Sequence, residues 1–197
     1  PKSYGLTIFD GIQVITPSRK GDAGTEMLNS ALQSAINPPA HGKTEKKVRD
    51  FTLREGDKVM QIKNNYDIEW NKNGSQGFGI FNGDIGVIKK IDLSEELITV
   101  DFEDKICEYD YTMLDELELA YAITVHKSQG SEYPIVIMPL YRYTPKLLTR
   151  NLLYTAITRA QSIVILVGNG EVAKAMVDNN RQTKRYTGLR YALEKYD

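Results

Sequence analysis

The chain has 197 residues, 41% of them apolar, which is enough to bury a substantial core in one large domain or two small ones. No segment approaches the ~20 consecutive apolar residues of a membrane span, and the N-terminus lacks the basic and apolar regions of a signal peptide. We therefore expect a cytoplasmic protein that does not enter a membrane. The single cysteine, Cys107, excludes an internal disulfide, and the two distant histidines do not form a zinc-binding pattern.

Charge does not decide whether the chain binds nucleic acid. The net charge is −1, whereas nucleic-acid-binding domains often carry a basic excess. The average hides an asymmetry, because residues 43–49 contain four basic residues and one acid, while residues 101–118 contain eight acids and one lysine. Both segments are equally compatible with ordinary solvated surface.

The first elements predicted along the chain are a strand, a loop and a helix. Residues 12–16 (IQVIT) form a short β-branched run, and apolar residues then recur at helical spacing over residues 27–36. The Asn-Pro-Pro sequence at residues 37–39 should end that helix, because proline lacks a backbone donor and restricts the residue before it. A polar, lysine-rich linker is expected to continue to about residue 50.

Residues 51–111 change from helical to alternating periodicity. Three short strands are predicted at residues 58–62, 84–91 and 97–102, and alternate residues of the last strand should share one buried face. Asn-Asn and Asn-Gly pairs between the strands suit tight turns. About 60 residues of short strands and tight turns indicate a small β-barrel of the SH3 kind.

An α/β pattern returns after residue 115, with three predicted strands in the runs ELAYAI, PIVIMPL and SIVILVG and a helix that begins near residue 171. The last two runs are continuously apolar, as expected for strands covered on both faces of a parallel sheet. The predicted fold class is therefore α/β. One parallel-sheet domain would comprise residues 1–49 and 116–197, interrupted by a β-barrel at residues 50–115.

A helix is predicted between the last two strands. Thr144 is the expected N-cap, with Pro145 at the first helical position. Leu148, Leu152 and Ala156 follow at helical spacing and should form the buried side of this helix.

A polar segment directly follows the ELAYAI run. Residues 124–132 combine hydroxyl, imidazole and ammonium groups around a glycine, and these donors suit phosphate oxygens. Loops that follow strand ends are also where open α/β sheets bind ligands. A capped helix with a solvated face remains an alternative interpretation of this segment.

Two arginines are further candidates for phosphate binding. Arg159 follows the predicted helix and should project from its end, where its planar guanidinium could bind two phosphate oxygens. Capping of helical carbonyls, or pairing with an acid, would explain Arg159 equally well. Arg19 lies in a glycine-containing loop between a strand and a helix at residues 16–25, which is not a Walker A loop because it lacks the G-x-x-x-x-G-K-[ST] pattern.

Four segments in order resemble the RecD-like superfamily 1 DNA helicases (the RecD/TraA family) over nearly the whole chain. Residues 12–39 are similar to the motif IV region of that family, and residues 56–88 to its inserted SH3-like domain. Residues 120–132 are similar to motif V, and residues 151–160 to motif VI. The HKSQGSE and YTAITRA strings are highly specific to these helicases and their relatives.

The resemblance implies part of an ATP-driven motor. Members of the family hold ATP and Mg²⁺ between two RecA-like domains, and this chain resembles the second of these with its SH3-like insertion. Arg159 would be the arginine finger and Arg19 a second γ-phosphate contact, while Gly130 and Glu132 would lie near the nucleotide. The main phosphate and metal ligands would belong to the N-terminal RecA-like domain, so this chain alone, without a Walker A loop, should not hydrolyse ATP.

The resemblance also implies a grip on single-stranded DNA. Thr124 and His126, with Ser128 as a further candidate, match the side of motif V that holds the DNA backbone without reading sequence. The insertion adds the candidate DNA contacts Asn64, Asn65 and Tyr66, although a purely structural turn is equally compatible with these residues. The family implies 5′→3′ translocation and, for some members, partner subunits of a nuclease complex.

Two other functions stay open at this level. Conjugative relaxases carry similar helicase motifs, and an upstream tyrosine-nuclease domain would favour that function. A stand-alone module could instead have kept the DNA grip, or the barrel as a protein-binding surface, without ATPase activity. The sequence contains neither a Walker A loop nor the acidic Mg²⁺ motif, so we expect it to be part of a longer protein.

Overall fold

The computed structural model of the protein describes residues 7–9, 11–141 and 146–180. The helices are α1 (Thr25–Ile36), α2 (Arg150–Ile157) and α3 (Gly170–Asp178). The strands are β1 (Ile12–Thr16), β2 (Glu45–Val48), β3 (Phe51–Arg54), β4 (Lys58–Gln61), β5 (Asn65–Lys72), β6 (Ser75–Ile80), β7 (Ile85–Asp92), β8 (Leu97–Phe102), β9 (Lys105–Asp110), β10 (Leu117–Leu119), β11 (Ala122–Thr124), β12 (Tyr133–Leu140) and β13 (Ala160–Gly168).

One sheet is parallel, and in the described residues its strands lie in the order β11, β1, β12, β13. Val14 of β1 pairs with β11 on one side and with β12 on the other. The predicted strands are confirmed here, but the prediction that β13 is covered on both faces is wrong. Ile165 and Val167 of β13 are 42% and 53% exposed, because β13 is the edge strand of the described sheet.

The other large sheet is antiparallel, with strand order β10, β4, β7, β8, β9, β5, β6. The three predicted strands correspond to β4, β7 and β8, and Ile98, Val100 and Phe102 point into the core as their alternation predicts. Strands β5, β6 and β9 were not predicted, because their polar and glycine residues obscure the alternation. Asn73 and Gly74 adopt positive φ at the β5–β6 turn, as the Asn-Gly pair predicts.

The lysine-rich segment expected as a linker contains a hairpin instead, in which β2 pairs with β3. Lys46 and Val48 of β2 are half-buried while Glu45 and Lys47 are exposed. The Lys46 ammonium lies 3.6 Å from the centre of the Tyr111 ring, so a charged side chain packs on the barrel by a cation–π contact. The linker prediction was wrong because lysine stems can cover apolar surface while the charge stays near water.

The predicted ELAYAI strand is two short strands in different sheets. Leu117–Leu119 (β10) pairs with β4 in the antiparallel sheet, while Ala122–Thr124 (β11) pairs with β1 in the parallel sheet. The antiparallel sheet therefore continues past residue 115, the predicted limit of the barrel. The chain crosses between the sheets at residues 120 and 121, both fully buried.

Helix α1 ends at Ile36 as predicted, but it buries a polar side. Asn29, Gln33 and Asn37, spaced four residues apart, are buried, whereas Met27 is 59% exposed. Asn29 donates hydrogen bonds to the carbonyl oxygens of residues 119 and 122. The helix therefore packs on the crossing between the sheets through amides, while its apolar Leu32 is half-buried against the core of the antiparallel sheet.

A buried cluster, the polar junction, joins the two sheets. The Asp57 carboxylate accepts hydrogen bonds from Gln33 Nε2 (2.5 Å), Asn37 Nδ2 (2.7 Å), the Arg54 backbone (2.7 Å) and Tyr121 Oη (2.9 Å). Burial raises the pKa of Asp57, and the hydrogen bonds partly oppose that rise. Each donor is thus matched to an acceptor, as a buried polar group requires.

The polar junction continues through a buried lysine. Lys58 Nζ donates to Gln13 Oε1 at 3.0 Å and to the carbonyl oxygens of Ile8 and Ile12 at 2.7 Å and 3.3 Å. Lys58 belongs to β4 of the antiparallel sheet, while Gln13 belongs to β1 of the parallel sheet. The junction is therefore expected to hold the two sheets in one relative orientation.

Helix α2 begins later than predicted. Its N-cap is Thr149, whose hydroxyl accepts a hydrogen bond from Leu152 N, and the predicted cap residues Thr144 and Pro145 lie outside the described residues. Leu153 and Ala156 are its buried residues, whereas Leu152 is half-buried. The predicted stripe is confirmed, since Ala156 is buried and Leu148 and Leu152 pack against the same core cluster, to which Leu153 is added.

Candidate functional site

Residues 125–132, the connecting segment, lead from the end of β11 to the start of β12. Both strands run in the same direction, so this segment passes from the C-terminal edge of the parallel sheet to its N-terminal edge. Ser128 N donates to Thr124 O at 3.1 Å, and Ser131 N donates to Ser128 O at 3.1 Å. These turns hold the polar residues of the segment in a compact arrangement.

Gly130 and Glu132 occupy the part of the connecting segment nearest to β12. Gly130 has φ +89, a conformation that suits glycine, and no atom lies within 4 Å of where a Cβ would be. Glu132 is exposed, and its carboxylate accepts a hydrogen bond from Gln161 Nε2 at 3.4 Å. The two residues thus border open space at the N-terminal edge of the sheet.

Arg159 lies at that same edge, two residues beyond the end of α2. Its backbone carbonyl accepts a hydrogen bond from Tyr133 N at 2.8 Å, and its guanidinium donates to Thr155 O and Ser131 O, both at 3.3 Å. The guanidinium also lies 3.5 Å from Thr158 Oγ1. The structure therefore joins Arg159, which follows α2 as predicted, to the connecting segment.

The acceptors around Arg159 are neutral. Among the described residues no carboxylate lies within 4 Å of its guanidinium, so its positive charge is not neutralised by an ion pair. The contact with Thr155 O matches the helix-capping alternative that the sequence left open. A half-buried cation held only by carbonyl and hydroxyl oxygens is well suited to attract an anion.

Arg19 has a different environment. Its guanidinium contacts Glu26 at 3.2 Å and Glu118 at 2.8 Å, and 63% of its side chain is exposed. The Glu118 charge raises the pKa of Arg19 further. Arg19 follows the C-terminal end of β1, whereas Arg159 lies at the N-terminal edge of the sheet, so the structure does not bring the two predicted phosphate contacts together.

The three predicted DNA contacts of the connecting region differ in accessibility. The His126 side chain is exposed, and Thr124 is half-buried, with its hydroxyl accepting from Lys127 N at 3.3 Å. Ser128 is 0% exposed, and its hydroxyl donates to Val125 O at 2.9 Å. The candidate DNA contact at Ser128 is therefore corrected: this hydroxyl stabilises the turn and does not reach the surface.

A hydrogen-bonded path links the connecting segment to the barrel. Lys127 Nζ donates to Asn82 Oδ1 at 2.6 Å, and Asn82 N donates to Asn64 Oδ1 at 3.0 Å. The turn that carries Asn82 is closed by Phe81 N, which donates to Asp84 Oδ2 at 2.8 Å. Two regions that the sequence predicts separately as DNA contacts are therefore adjacent.

Next to this path lies an exposed aromatic pair, Tyr66 and Phe81. Their ring centroids are 5.5 Å apart in an edge-to-face arrangement, and the residues are 66% and 41% exposed. Gly79 lies against Phe81, since a Cβ at residue 79 would come within 2.9 Å of that ring. Asn65 instead has a structural contact, because its amide donates to Glu116 Oε2 at 3.0 Å.

Sequence reasoning missed three residues of this surface: Lys127, Asn82 and Phe81. The Asn82-Gly83 pair did indicate a turn, and Lys127 belongs to the polar segment already identified. Their proximity depends on how the two sheets pack, and no local pattern encodes that. Alternating hydrophobicity can predict that Phe81 lies in a strand or a turn, but it cannot predict that Phe81 is exposed and packs against Tyr66.

Metal and membrane sites are not apparent in the part of the chain that the structure describes. No group of three or more histidine, cysteine, aspartate or glutamate residues there could hold a metal ion. Nor do the described helices include one with the length and apolar character to cross a membrane.

Comparison with known families and relatives gives four matches of note. A family model described as the SH3 domain of ATP-dependent RecD-like DNA helicases matches residues 28–102, and a UvrD-like helicase C-terminal domain model matches residues 119–167. The ATP-dependent RecD2 DNA helicase of Deinococcus radiodurans is 35% identical over 88% of this chain and 22% of the relative. The RecBCD enzyme subunit RecD of Mycolicibacterium smegmatis is 29% identical over 95% of this chain and 30% of the relative. The chain thus spans less than a third of either relative.

Solved structures agree in fold. A structure of Pif1 helicase from Bacteroides in complex with ADP-AlF3 and ssDNA has a TM-score of 0.53 and 19% identity, covering 93% of this chain and 44% of that chain. A structure of two coordinating Pif1 helicases at forked dsDNA also has a TM-score of 0.53, with 17% identity and coverage of 97% and 44%. The predicted fold class is confirmed: a RecA-like α/β domain with a parallel sheet and a small SH3-like β-barrel insertion.

Proposed function

Because the chain belongs to the RecD-like superfamily 1 DNA helicases, we propose that it is the C-terminal motor half of an ATP-dependent DNA helicase. In this role it supplies an arginine finger and a grip on single-stranded DNA. The observation that carries the proposal is Arg159, an arginine without a carboxylate partner among the described residues, beside the exposed Gly130 and Glu132. The ATP-dependent helicase named among its relatives supports the same role.

Arg159 can exchange neutral contacts for a charged one. Its hydrogen bonds to Thr155 O and Ser131 O, each 3.3 Å long, are weaker than the charge-assisted, bidentate contact that a guanidinium makes with phosphate. At the γ-phosphate it would stabilise the charge that develops as the phosphoryl group is transferred. Arg19 is left out of this site, because Glu26 and Glu118 already neutralise its charge.

ATP is the substrate in this proposal, and the energy of its hydrolysis drives the motor. Gly130 would let the connecting segment approach the nucleotide closely, and Glu132 would accept a hydrogen bond from its ribose. Mg²⁺ and the main phosphate ligands are assigned to the N-terminal RecA-like domain, as the resemblance to the family implies. That domain is the first partner of this chain.

The DNA grip combines backbone contacts with base stacking. The exposed His126 and the half-buried Lys127 supply donors for DNA phosphates, and Thr124 supports the turn that presents them. Tyr66 and Phe81 offer exposed ring faces and edges on which bases can stack. Asn64 orients the turn next to them, whereas Asn65 and Ser128 have structural roles. Such contacts do not read sequence, so low sequence specificity is expected.

ATP binding and release would couple these two sites. Closure of the two RecA-like domains brings Arg159 to the γ-phosphate and moves the connecting segment, to which it is hydrogen-bonded through Ser131. Lys127 and Asn82 pass that movement to the barrel. The result is a shift between two states driven by different ligand contacts, which gives stepwise 5′→3′ translocation in the proposed cycle. Subunits of a nuclease complex are proposed partners, since several relatives are named as RecBCD subunits.

Steady-state ATP hydrolysis by the full-length protein, with and without single-stranded DNA, tests this function. We expect Arg159→Ala to lower kcat by about a thousandfold or more while nucleotide and DNA affinity are retained. Arg150→Ala is the matched control, because Arg150 begins α2, the helix that precedes Arg159, and donates to Val177 O, away from the connecting segment. Near-normal turnover of Arg159→Ala would disprove the arginine-finger assignment.

A further inference from the structure

We propose that strand β6 is a docking edge for an extended, arginine-containing segment of a partner protein, which adds a strand to the antiparallel sheet beside Phe78. The proposal concerns the barrel and does not depend on the roles proposed for Arg159 and the connecting segment. Addition of a strand to a free sheet edge is a common way to bind an extended peptide, because backbone hydrogen bonds give affinity and side chains give specificity.

The outer edge of β6 has unused backbone hydrogen-bonding groups. Among the described residues β6 pairs only with β5. Lys72 and Ser75 flank the two-residue Asn-Gly turn, so they form a hydrogen-bonded pair, and such pairs then alternate along the hairpin. Gln76 and Phe78 fall at the intervening positions, so their N–H and C=O groups point away from β5. These groups can therefore pair with another strand.

The β6 edge also lacks the features that usually protect an edge strand. Its sequence, SQGFGI, contains neither a charged residue nor a proline. At the other end of the strand order, β10 has only three residues, and its Glu118 is paired with Arg19. Residues 11–141 are described without a gap, and within them the Phe78 side chain is 67% exposed. An accessible apolar ring thus lies on an accessible edge.

The face of the sheet that carries Phe78 is acidic. Glu69 of β5 lies directly opposite Phe78. Glu108 of β9 is on the same face, because Ile106 is paired with Asn71 and each glutamate lies two residues from its member of that pair. Both glutamates are exposed, and neither forms an ion pair with a described residue. The edge is therefore complementary to a basic segment.

An arginine beside Phe78 on the added strand fits both the ring and the charge. Its guanidinium can stack on the aromatic face. The added strand would lie two strand spacings, about 9.5 Å, from β5, a distance that an arginine and Glu69 bridge together. Lys90 on this face is already paired with Asp92 at 2.7 Å. A nucleic acid would place phosphates near the carboxylates, and a second copy of the chain would add more glutamates, so both are disfavoured.

A fluorescent seven-residue peptide of alternating threonine and arginine tests the proposal by anisotropy with the full-length protein. We expect saturable binding that is about tenfold weaker for Phe78→Ala and for Gln76→Pro. Proline removes an outward backbone donor at a position that β5 does not use, so the hairpin should persist. Leu93→Ala, another exposed apolar residue of the barrel, is the control and should bind normally. Melting temperature and ATP turnover should be unchanged in all three variants.

Two further peptides separate strand addition from charge attraction. The peptide with glutamate in place of arginine should bind at least about tenfold more weakly, because the acidic face repels it. The arginine peptide with every backbone nitrogen methylated keeps its charge but cannot donate, so it should also bind weakly. Binding of either peptide equal to that of the arginine peptide, or no saturable binding of the arginine peptide, would overturn the proposal.

Other occupants of the β6 edge give distinct results. If Phe78→Ala weakens single-stranded DNA binding and leaves peptide binding unchanged, the surface binds nucleic acid and the proposal is wrong. If sedimentation shows that the unchanged protein self-associates and that Gln76→Pro does not, the edge pairs with a second copy, which also contradicts it. None of these results bears on Arg159, whose test is the loss of ATP turnover.

Discussion

The polar junction and the surface around Arg159 contain similar charged side chains, but these side chains have different hydrogen-bond partners in the two regions. In the junction, Asp57 and Lys58 are buried, and each is surrounded by several hydrogen-bond partners. Around the connecting segment, Arg159 contacts only neutral oxygens and Lys127 only a single amide. Charged groups that are fully satisfied stabilise the fold, whereas those that keep unused charge near solvent are available to ligands.

Arg19 shows that the difference lies in the neighbours and not in the residue type. It is more exposed than Arg159 and follows a strand end, which made it an attractive candidate in sequence. Two carboxylates neutralise it, however, as they would a structural surface arginine. Charge compensation, more than exposure, therefore separates the two arginines, and this comparison can be tested directly.

The largest effect is expected from giving Arg159 the environment of Arg19. Ser131→Glu would add a carboxylate to the residue whose backbone carbonyl accepts from the guanidinium, and this carboxylate should pair with Arg159 and repel phosphate. We expect kcat of the full-length helicase to fall by about a hundredfold or more. Ser131→Gln, similar in size but neutral, should remain within a few fold of the unchanged protein, and equal losses in both variants would point to a steric effect.

The opposite experiment removes an acceptor from the polar junction and leaves its donors without a hydrogen-bond partner. Asp57→Ala removes the carboxylate on which Gln33, Asn37 and Tyr121 depend, so we expect local stability to fall by about 2–3 kcal/mol. Hydrogen exchange of the α1 and β4 amides in the full-length protein would report the loss. Exchange rates that stay unchanged would mean that the junction does not hold the sheets together.

A smaller effect is expected at the aromatic pair. Tyr66→Ala and Phe81→Ala should each weaken single-stranded DNA binding by about tenfold, because a stacked base contributes about 1–3 kcal/mol. The salt dependence of binding should stay the same, since no phosphate contact is lost. Leu93→Ala, at another exposed apolar side chain of the barrel, is the control and should bind normally. Fluorescence anisotropy with labelled oligonucleotides measures all three.

At Lys127 the salt dependence itself should change. Loss of one phosphate contact lowers the slope of log K against log salt by about 0.7 for single strands, with a several-fold loss of affinity at low salt. Lys127→Ala should show this, and Lys174→Ala on the exposed side of α3 should not. If the slope for Lys127→Ala equals that of the unchanged protein, Lys127 does not contact a DNA phosphate and its role is the hydrogen bond to Asn82.

The smallest effect is predicted at Arg19. Arg19→Ala removes two exposed ion pairs, so stability should change by at most about 1 kcal/mol and ATP turnover should be normal. A calorimetric melt and the ATPase assay used for Arg159 are sufficient. A large loss of turnover in this variant would restore Arg19 as a phosphate contact and contradict the role assigned here to charge compensation.

Local sequence patterns predicted much of the fold. The apolar run of β12 and the alternation of β8 predicted which of their residues are buried. This is possible because successive residues of a strand point to opposite faces of the sheet. The polar segment at residues 124–132 and Arg159 could be identified as candidates in the same way. Helix α1 shows the limit: its spacing predicted a helix, but its fully buried side chains are the amides of Asn29 and Gln33, while the apolar Leu32 is only half-buried.

The sequence by itself determined the α/β class, the barrel insertion and the candidate residues for phosphate binding, since these depend on periodicity and on the chemistry of single side chains. Only the tertiary structure decided which of those residues are free to act. It buried Ser128 and neutralised Arg19 with Glu118, a residue far along the chain. Such outcomes depend on contacts between distant segments, which no local pattern records.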